Sequence, residues 1–158
     1  MSAPTYPAVE EVLPQAGRMV LLTRIVGHTE DRTTCAVEIS NTSAFSDGQG
    51  RVPAWVSLEY MAQCIAAHGG LRARAAGDPV TIGFLLGSRS VALHTPGFLP
   101  GQELEVEAAH LWGEQDFFSF ACTVRDARTR VTLVEATLAV ARAAGADSLT
   151  GRGRAEAP

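Results

Sequence analysis

Apolar positions along the chain fall into one long block and six shorter runs of different spacing. From Trp55 to about Arg74 there is no proline and, before Gly69, no glycine, while Leu, Met, Ala, Gln and Glu favour a helix. Trp55, Val56, Leu58, Met61, Ala62, Cys64, Ile65, Ala66 and Ala67 surround the axis and leave no polar stripe. A helix apolar on every side is expected to be buried.

The shorter runs read as strands. "MVLLTRIVGH" and "TTCAVEIS" are rich in β-branched residues and are separated by the polar turn "TEDR". After "AAGDP" come "VTIGFLLGSRSVALH", "QELEVEAAHLWGE", "DFFSFACTVRD" and "RVTLVEATLAVARA", with "TPGFLPG" and "DART" as turns. "LEVEA" and "LVEATLAVA" partly alternate apolar with polar or small residues, as a sheet with one solvated face requires. A short helix is expected after Pro7, ended by Pro14 and Gly17. Phe84, Leu85, Leu86, Phe117, Phe118, Phe120 and Trp55 read as packing residues.

Two strands, one long buried helix and four further strands predict an α+β domain, with an antiparallel sheet of about five or six strands wrapped around the helix. The domain is expected over residues 1–143, with a frayed tail at 144–158. The 158 residues suit one domain with a sizeable core. A formal net charge of -4 gives no broad basic field and argues against nucleic acid as a partner. The start, "MSAPTYPAVEEVLPQ", lacks a basic stretch followed by an apolar one, and no window reaches the ~20 apolar residues of a membrane span, so a cytoplasmic protein is expected. Cys35, Cys64 and Cys122 are far apart without a CxxC or a Cys/His cluster, so buried free thiols and no metal site are expected.

Between Arg51 and Arg72 the single residue charged at neutral pH is Glu59, in the second turn of the helix. Burying an ionised carboxylate without a partner costs several kcal/mol. Two readings are open: a carboxylate paired within the core or with another subunit, and a general acid or base near a helix start whose N–H groups meet negative charge developing on a substrate. Such donors would begin near Pro53 and Ala54, where a small side chain lets a carbonyl oxygen come close. Gln63, four residues on, lies on the same face and can orient the carboxylate. His68, nine residues on, falls about 180° away and is read as structural. His28, His94 and His110 carry no spacing that assigns a role and are taken as surface residues.

The motif "VPAWVSLEYMAQCIAAHGGL" followed by "GFLLGSRS" resembles the hot-dog-fold β-hydroxyacyl-ACP dehydratases, in particular the ApeP-like branch of aryl polyene pathways, over about residues 8 to 142. The resemblance implies a hot-dog fold and a homodimer or heterodimer with its sheets joined edge to edge. It also implies a substrate carried on the phosphopantetheine of an acyl carrier protein, with no metal or organic cofactor. The implied reaction removes water from a 3-hydroxyacyl thioester to give the trans-2-enoyl product. Residue by residue, Glu59 matches the catalytic carboxylate, Gln63 the glutamine that follows it, and Ala54 the glycine whose N–H polarises the thioester carbonyl. Trp55 and Phe84 are further candidates for the acyl chain, and Arg89 for a phosphate of the carrier arm.

Two departures bear on activity. Relatives carry a histidine in a "GHFPG" segment upstream of the helix, where this chain reads "AFSDGQGRVP"; where relatives read Leu-Pro-His, this chain has Gln15. Glutamine can hydrogen-bond but cannot shuttle a proton near neutral pH. Asp47, Gln15, another histidine or a residue of a partner chain are the candidates to assist Glu59. The readings are an active dehydratase, a non-catalytic or half-catalytic subunit of a heterodimer with a related dehydratase, and a hot-dog thioesterase.

Overall fold

The computed structural model describes residues 2–142, so the tail expected at 144–158 lies outside the described residues. The chain forms strands β1 (Arg24–His28), β2 (Arg32–Glu38) and β3 (Val52–Pro53), then helix α1 (Ser57–Ala76). There follow β4 (Gly83–Leu93), β5 (Gly97–Phe98), β6 (Glu103–Glu114), β7 (Phe117–Asp126) and β8 (Thr132–Arg142). Six strands form one antiparallel sheet in the order β1-β2-β6-β7-β8-β4, with α1 against β2, β6, β7 and β8. This is the α+β arrangement expected from the runs, and the hot-dog fold that the resemblance implies. β3 and β5 pair as a separate two-stranded ladder, unforeseen because "TPGFLPG" reads as a turn.

Alternation sets the inner face. On β6, Leu104, Val106 and Ala108 are buried, while Glu103, Glu105 and Glu107 between them are only half-buried. Register carries the pattern across strands: Cys35 lies opposite Val106, Val106 opposite Val124, and Val124 opposite Val134, all fully buried. The same row ends on β4 at Leu93, opposite Val134 and 49% exposed. Thus β4 continues the apolar face past the edge of the helix.

That placement corrects the expectation for Phe84, Leu85 and Leu86, which are exposed rather than core because β4 is the last strand of the sheet. Trp55 and Phe117 are likewise exposed, whereas Phe120 is buried and Phe118 is half-buried against the core.

The start of α1 is a 3-10 turn, Ala54–Val56, held by the Ser57 hydroxyl donating to the Ala54 carbonyl at 2.6 Å. Its end is Gly77, whose φ of 76° is the left-handed conformation in which glycine closes a helix without steric penalty. The helix expected after Pro7 is one 3-10 turn, Val9–Glu11, since prolines on both sides leave too few amides for an α-helical ladder. Beyond it, Val12 sits directly on Gly70 of α1, close enough that a side chain at Gly70 would overlap the Val12 carbonyl.

The helix is not buried all round. Tyr60, Met61, Gln63, Cys64, Ala67, His68 and Leu71 are buried, but Trp55, Glu59, Ala62, Ala66 and Gly69 follow one another along a face that the sheet leaves partly open. A single sheet covers one side of a helix, so the second apolar side needs another partner. As expected, Cys35, Cys64 and Cys122 are buried free thiols.

Candidate active site

Glu59 lies half-buried on the open face of α1. One of its oxygens accepts a hydrogen bond from the Gln63 Nε2 at 3.1 Å, the contact expected from their spacing of four. Gln63 itself is 0% exposed. Its Nε2 also donates to the Met19 carbonyl at 2.6 Å, and its Oε1 accepts from the Leu21 N–H at 2.9 Å. The amide therefore ties α1 to the segment before β1 and fixes the carboxylate by a group that cannot itself move.

Sequence reasoning missed these backbone anchors. Met19 and Leu21 act through main-chain atoms more than forty positions away, so no side-chain type marks them. Replacing Gln63 by leucine is expected to remove the part-buried hydrogen bonds to the Leu21 N–H and the Met19 carbonyl, at about 0.5–1.5 kcal/mol for each bond. Urea unfolding should show a lower midpoint with an unchanged slope.

The structure places the other candidates as follows. Trp55, one turn before Glu59, is 59% exposed and meets Phe45, their ring centroids 6.3 Å apart. Phe45 has φ 65°, an unfavourable conformation for a non-glycine residue. Phe45 is a second missed residue. Tyr60 turns the other way into the core beside Phe98, and burial pushes its phenol up to about 12.

Ala54 requires a correction. Its N–H, expected to be a free donor at the helix start, donates to the Pro96 carbonyl at 3.1 Å. The cause is the β3–β5 ladder, which brings Pro96 over the turn.

Asp47, expected as a candidate to assist Glu59, makes no hydrogen bond to it among the described residues. Its Oδ1 accepts from the N–H groups of Gln49 and Arg51 at 2.8 and 3.0 Å, so the carboxylate holds its own turn. The side-chain oxygen of Gln15 is buried and has no hydrogen-bond partner among the described residues. Phe84 and Arg89 stand on the edge strand β4, away from the Glu59–Gln63 pair in the fold order.

The histidines divide. His94 is exposed and paired with Glu135 at 3.0 Å, in keeping with a surface residue. His68 is buried and structural, as the helical geometry requires, with Nδ1 2.8 Å from the Thr33 hydroxyl. His28 and His110 are not plain surface residues: His28 contacts the same hydroxyl, and His110 packs on Phe118 and Phe120. Among the described residues no hydrogen bond joins a histidine to Glu59. Nor does any group of three or more His, Cys, Asp or Glu side chains there lie close enough to hold a metal. Among the described residues no helix is long and apolar enough to cross a membrane.

Comparison with known proteins bears on what this pair can do. Residues 7–150 match the ApeP-like family, described as ApeP dehydratase. A chain of the dehydratase heterocomplex ApeI:P from Xenorhabdus doucetiae aligns with a TM-score of 0.87 at 25% identity, covering 95% of this chain and 100% of that one. The PaaI protein of the E. coli phenylacetic acid degradation operon aligns at TM-score 0.56 and 11% identity, over 75% of this chain and 81% of its own. A hypothetical thioesterase from Streptococcus pneumoniae, solved with coenzyme A, aligns at 0.57 and 13%, over 75% and 84%. The last two show the fold alone. No curated sequence matches the chain.

Proposed function

The chain belongs to the ApeP-like dehydratase family, and from that premise we propose that it dehydrates 3-hydroxyacyl thioesters carried on an acyl carrier protein, with Glu59 as acid and base, in an aryl polyene pathway of fatty-acid or polyketide type. The observation that carries this reading is the Glu59–Gln63 pair: a lone carboxylate on an open apolar helix face, one oxygen held by a buried amide, the other left for substrate.

In the proposed reaction the Glu59 carboxylate removes the α proton, which the polarised thioester carbonyl makes acidic. The electron pair forms the new carbon–carbon double bond as the β carbon–oxygen bond breaks. The same proton is then available to the departing oxygen, which leaves as water. With the Ala54 N–H engaged by Pro96, carbonyl polarisation passes to the next amides of the helix start, Trp55 and Val56, because the first N–H groups of a helix have no carbonyl a turn earlier. Trp55 and Phe45 flank the entrance for an apolar or aromatic acyl chain.

The site is completed by a second hot-dog chain. Two features support this. Strand β4 presents an edge unpaired among the described residues and bearing Phe84, Leu85, Leu86, Val91 and Leu93, and long apolar edges invite pairing. A similar solved chain comes from a heterocomplex of dehydratases, and the open face of α1 leaves Glu59 uncovered by the sheet. A second reading, a half-catalytic subunit that supplies Glu59 to a heterodimer, is favoured by Asp47, which holds its own turn, and by Gln15, which makes no bond to the carboxylate.

A turnover assay separates the readings. The purified chain is given a 3-hydroxyacyl acyl carrier protein, alone and with a second hot-dog dehydratase. Enoyl product from the single chain supports the first reading and product only from the mixture supports the second. Free carrier thiol without enoyl product would show thioester hydrolysis and overturn both.

A further inference from the structure

The pairing of β4 with β8 gives the edge strand a pattern of its own. Leu85, Ser88, Val91 and Leu93 lie opposite Val140, Leu138, Ala136 and Val134, which face the core, whereas Phe84, Gly87, Ser90 and Ala92 lie opposite Ala141, Ala139, Thr137 and Glu135 on the other face. Bulges at Leu86 and at Arg89 each insert one residue into the alternation. Inward positions therefore fall at 85, 88 and 91, evenly about Ser88, the middle residue of an 11-residue strand.

An edge with this symmetry fits an antiparallel edge of the same pattern, as an isologous contact requires. Set about Ser88, a second such strand brings its equivalent of Val91 opposite Leu85 and its equivalent of Ala92 opposite Phe84, so inner residues meet inner and outer meet outer. A slip of one residue would set inner against outer. In the matched register Arg89 lies opposite the equivalent of Gly87, two positions from the equivalent of Arg89. Across paired strands that diagonal is about 7 Å.

Arg89 is exposed and takes part in no ion pair among the described residues. β4 holds no Asp or Glu, and the acid of β8, Glu135, lies opposite Ala92 and is engaged by His94 at 3.0 Å. A copy of this chain therefore meets Arg89 with a second arginine and no carboxylate. Like charges this close oppose each other more strongly once an interface excludes water.

We propose that Arg89 selects the partner: β4 joins, in the register centred on Ser88, the edge strand of a different hot-dog chain that carries an aspartate or glutamate facing Arg89, and the arginine disfavours a copy of this chain. The inference rests on the reading that a second hot-dog chain completes the site, and it adds the chemistry by which that chain is recognised. Leu85, Val91 and Leu93, each 40–49% exposed, supply an attraction common to any apolar edge. Arg89 supplies the discrimination, repelling the wrong partner as well as attracting the right one.

Native mass spectrometry and sedimentation equilibrium of the full chain and its Arg89→Glu variant, at about 0.1 M salt, test the proposal. Mixed in equal amounts, the two should form a dimer with one chain of each kind, at least about tenfold tighter than the native chain with itself, because the exchange replaces repulsion by attraction. The advantage should shrink at about 1 M salt, where screening acts within about 3 Å. Arg89→Gln, which removes the charge without adding a carboxylate, should self-associate more tightly than the native chain, and it carries the test if Arg89→Glu fails to fold. A native chain that pairs with itself as tightly as with Arg89→Glu, or a glutamine variant that associates no better than the native chain, would overturn the selection. These readouts are masses, not turnover: if enoyl formation still needs a second dehydratase while the masses show no preference, the role of Arg89 falls and the dehydratase reading stands.

Discussion

Replacing Glu59 by glutamine is expected to lower dehydration by on the order of 10²–10⁴-fold, the range supplied by a positioned acid–base group. The substitution is nearly isosteric, and the new amide carbonyl can still accept from Gln63 Nε2 at the position where the carboxylate does so now. Glu59 is half-buried and takes part in no ion pair among the described residues, so the fold loses little. The measurement is steady-state formation of enoyl thioester by whichever assembly is active, beside a thermal melt of each variant. An unchanged rate in a folded variant would remove Glu59 from the reaction. Parallel loss of rate and melting temperature would make its role structural.

The second large effect concerns stability and has opposite signs at two adjacent glycines. In a helix interior, alanine is ordinarily about 0.5–1 kcal/mol better than glycine. Gly69 faces open space, with nothing within 4 Å of the point an alanine methyl would occupy, so Gly69→Ala should stabilise the chain by roughly that amount. At Gly70 the added methyl would overlap the Val12 carbonyl oxygen and lie 2.9 Å from its carbon. Those are main-chain atoms of a segment anchored by Val9, Val12 and Leu13 in the core, so they cannot rotate aside. Gly70→Ala should destabilise by roughly 1–3 kcal/mol, the usual cost of overpacking. Urea midpoints of the two variants check this. Equal shifts of one sign would show that the N-terminal segment does not bear on α1.

Much of the architecture is readable one residue after another. The helix follows from a stretch without proline and with strong helix formers, and Ser57–Ala76 lies close to the expected bounds. The six long strands follow from β-branched runs and from alternation such as that of Leu104, Val106 and Ala108 with the glutamates between them. Helical spacing also places Gln63 beside Glu59 and turns His68 away from it. These are local properties, determined by bond geometry with periods of 3.6 and 2 residues.

The failures share one cause. Phe84, Leu85 and Leu86 look like core by composition, yet their strand pairs with β8 on one side and has no neighbour on the other among the described residues. Ala54 loses its free N–H to Pro96, a residue far along the chain. The Thr33 bridge joins residues from β1, β2 and α1, and no spacing along the chain announces it.

By itself, then, the sequence determined the helix, the strands and the placing of Glu59 and Gln63 on one helical face, because each depends on neighbours within a turn or two. Which strand stands at the edge, which amides and carboxylates are engaged by other backbone groups, and which histidines meet at the Thr33 hydroxyl were decided by tertiary structure. Sheet order and the meeting of distant backbone atoms settle those questions, and hydrogen bonds formed across the fold leave no periodic trace in the chain.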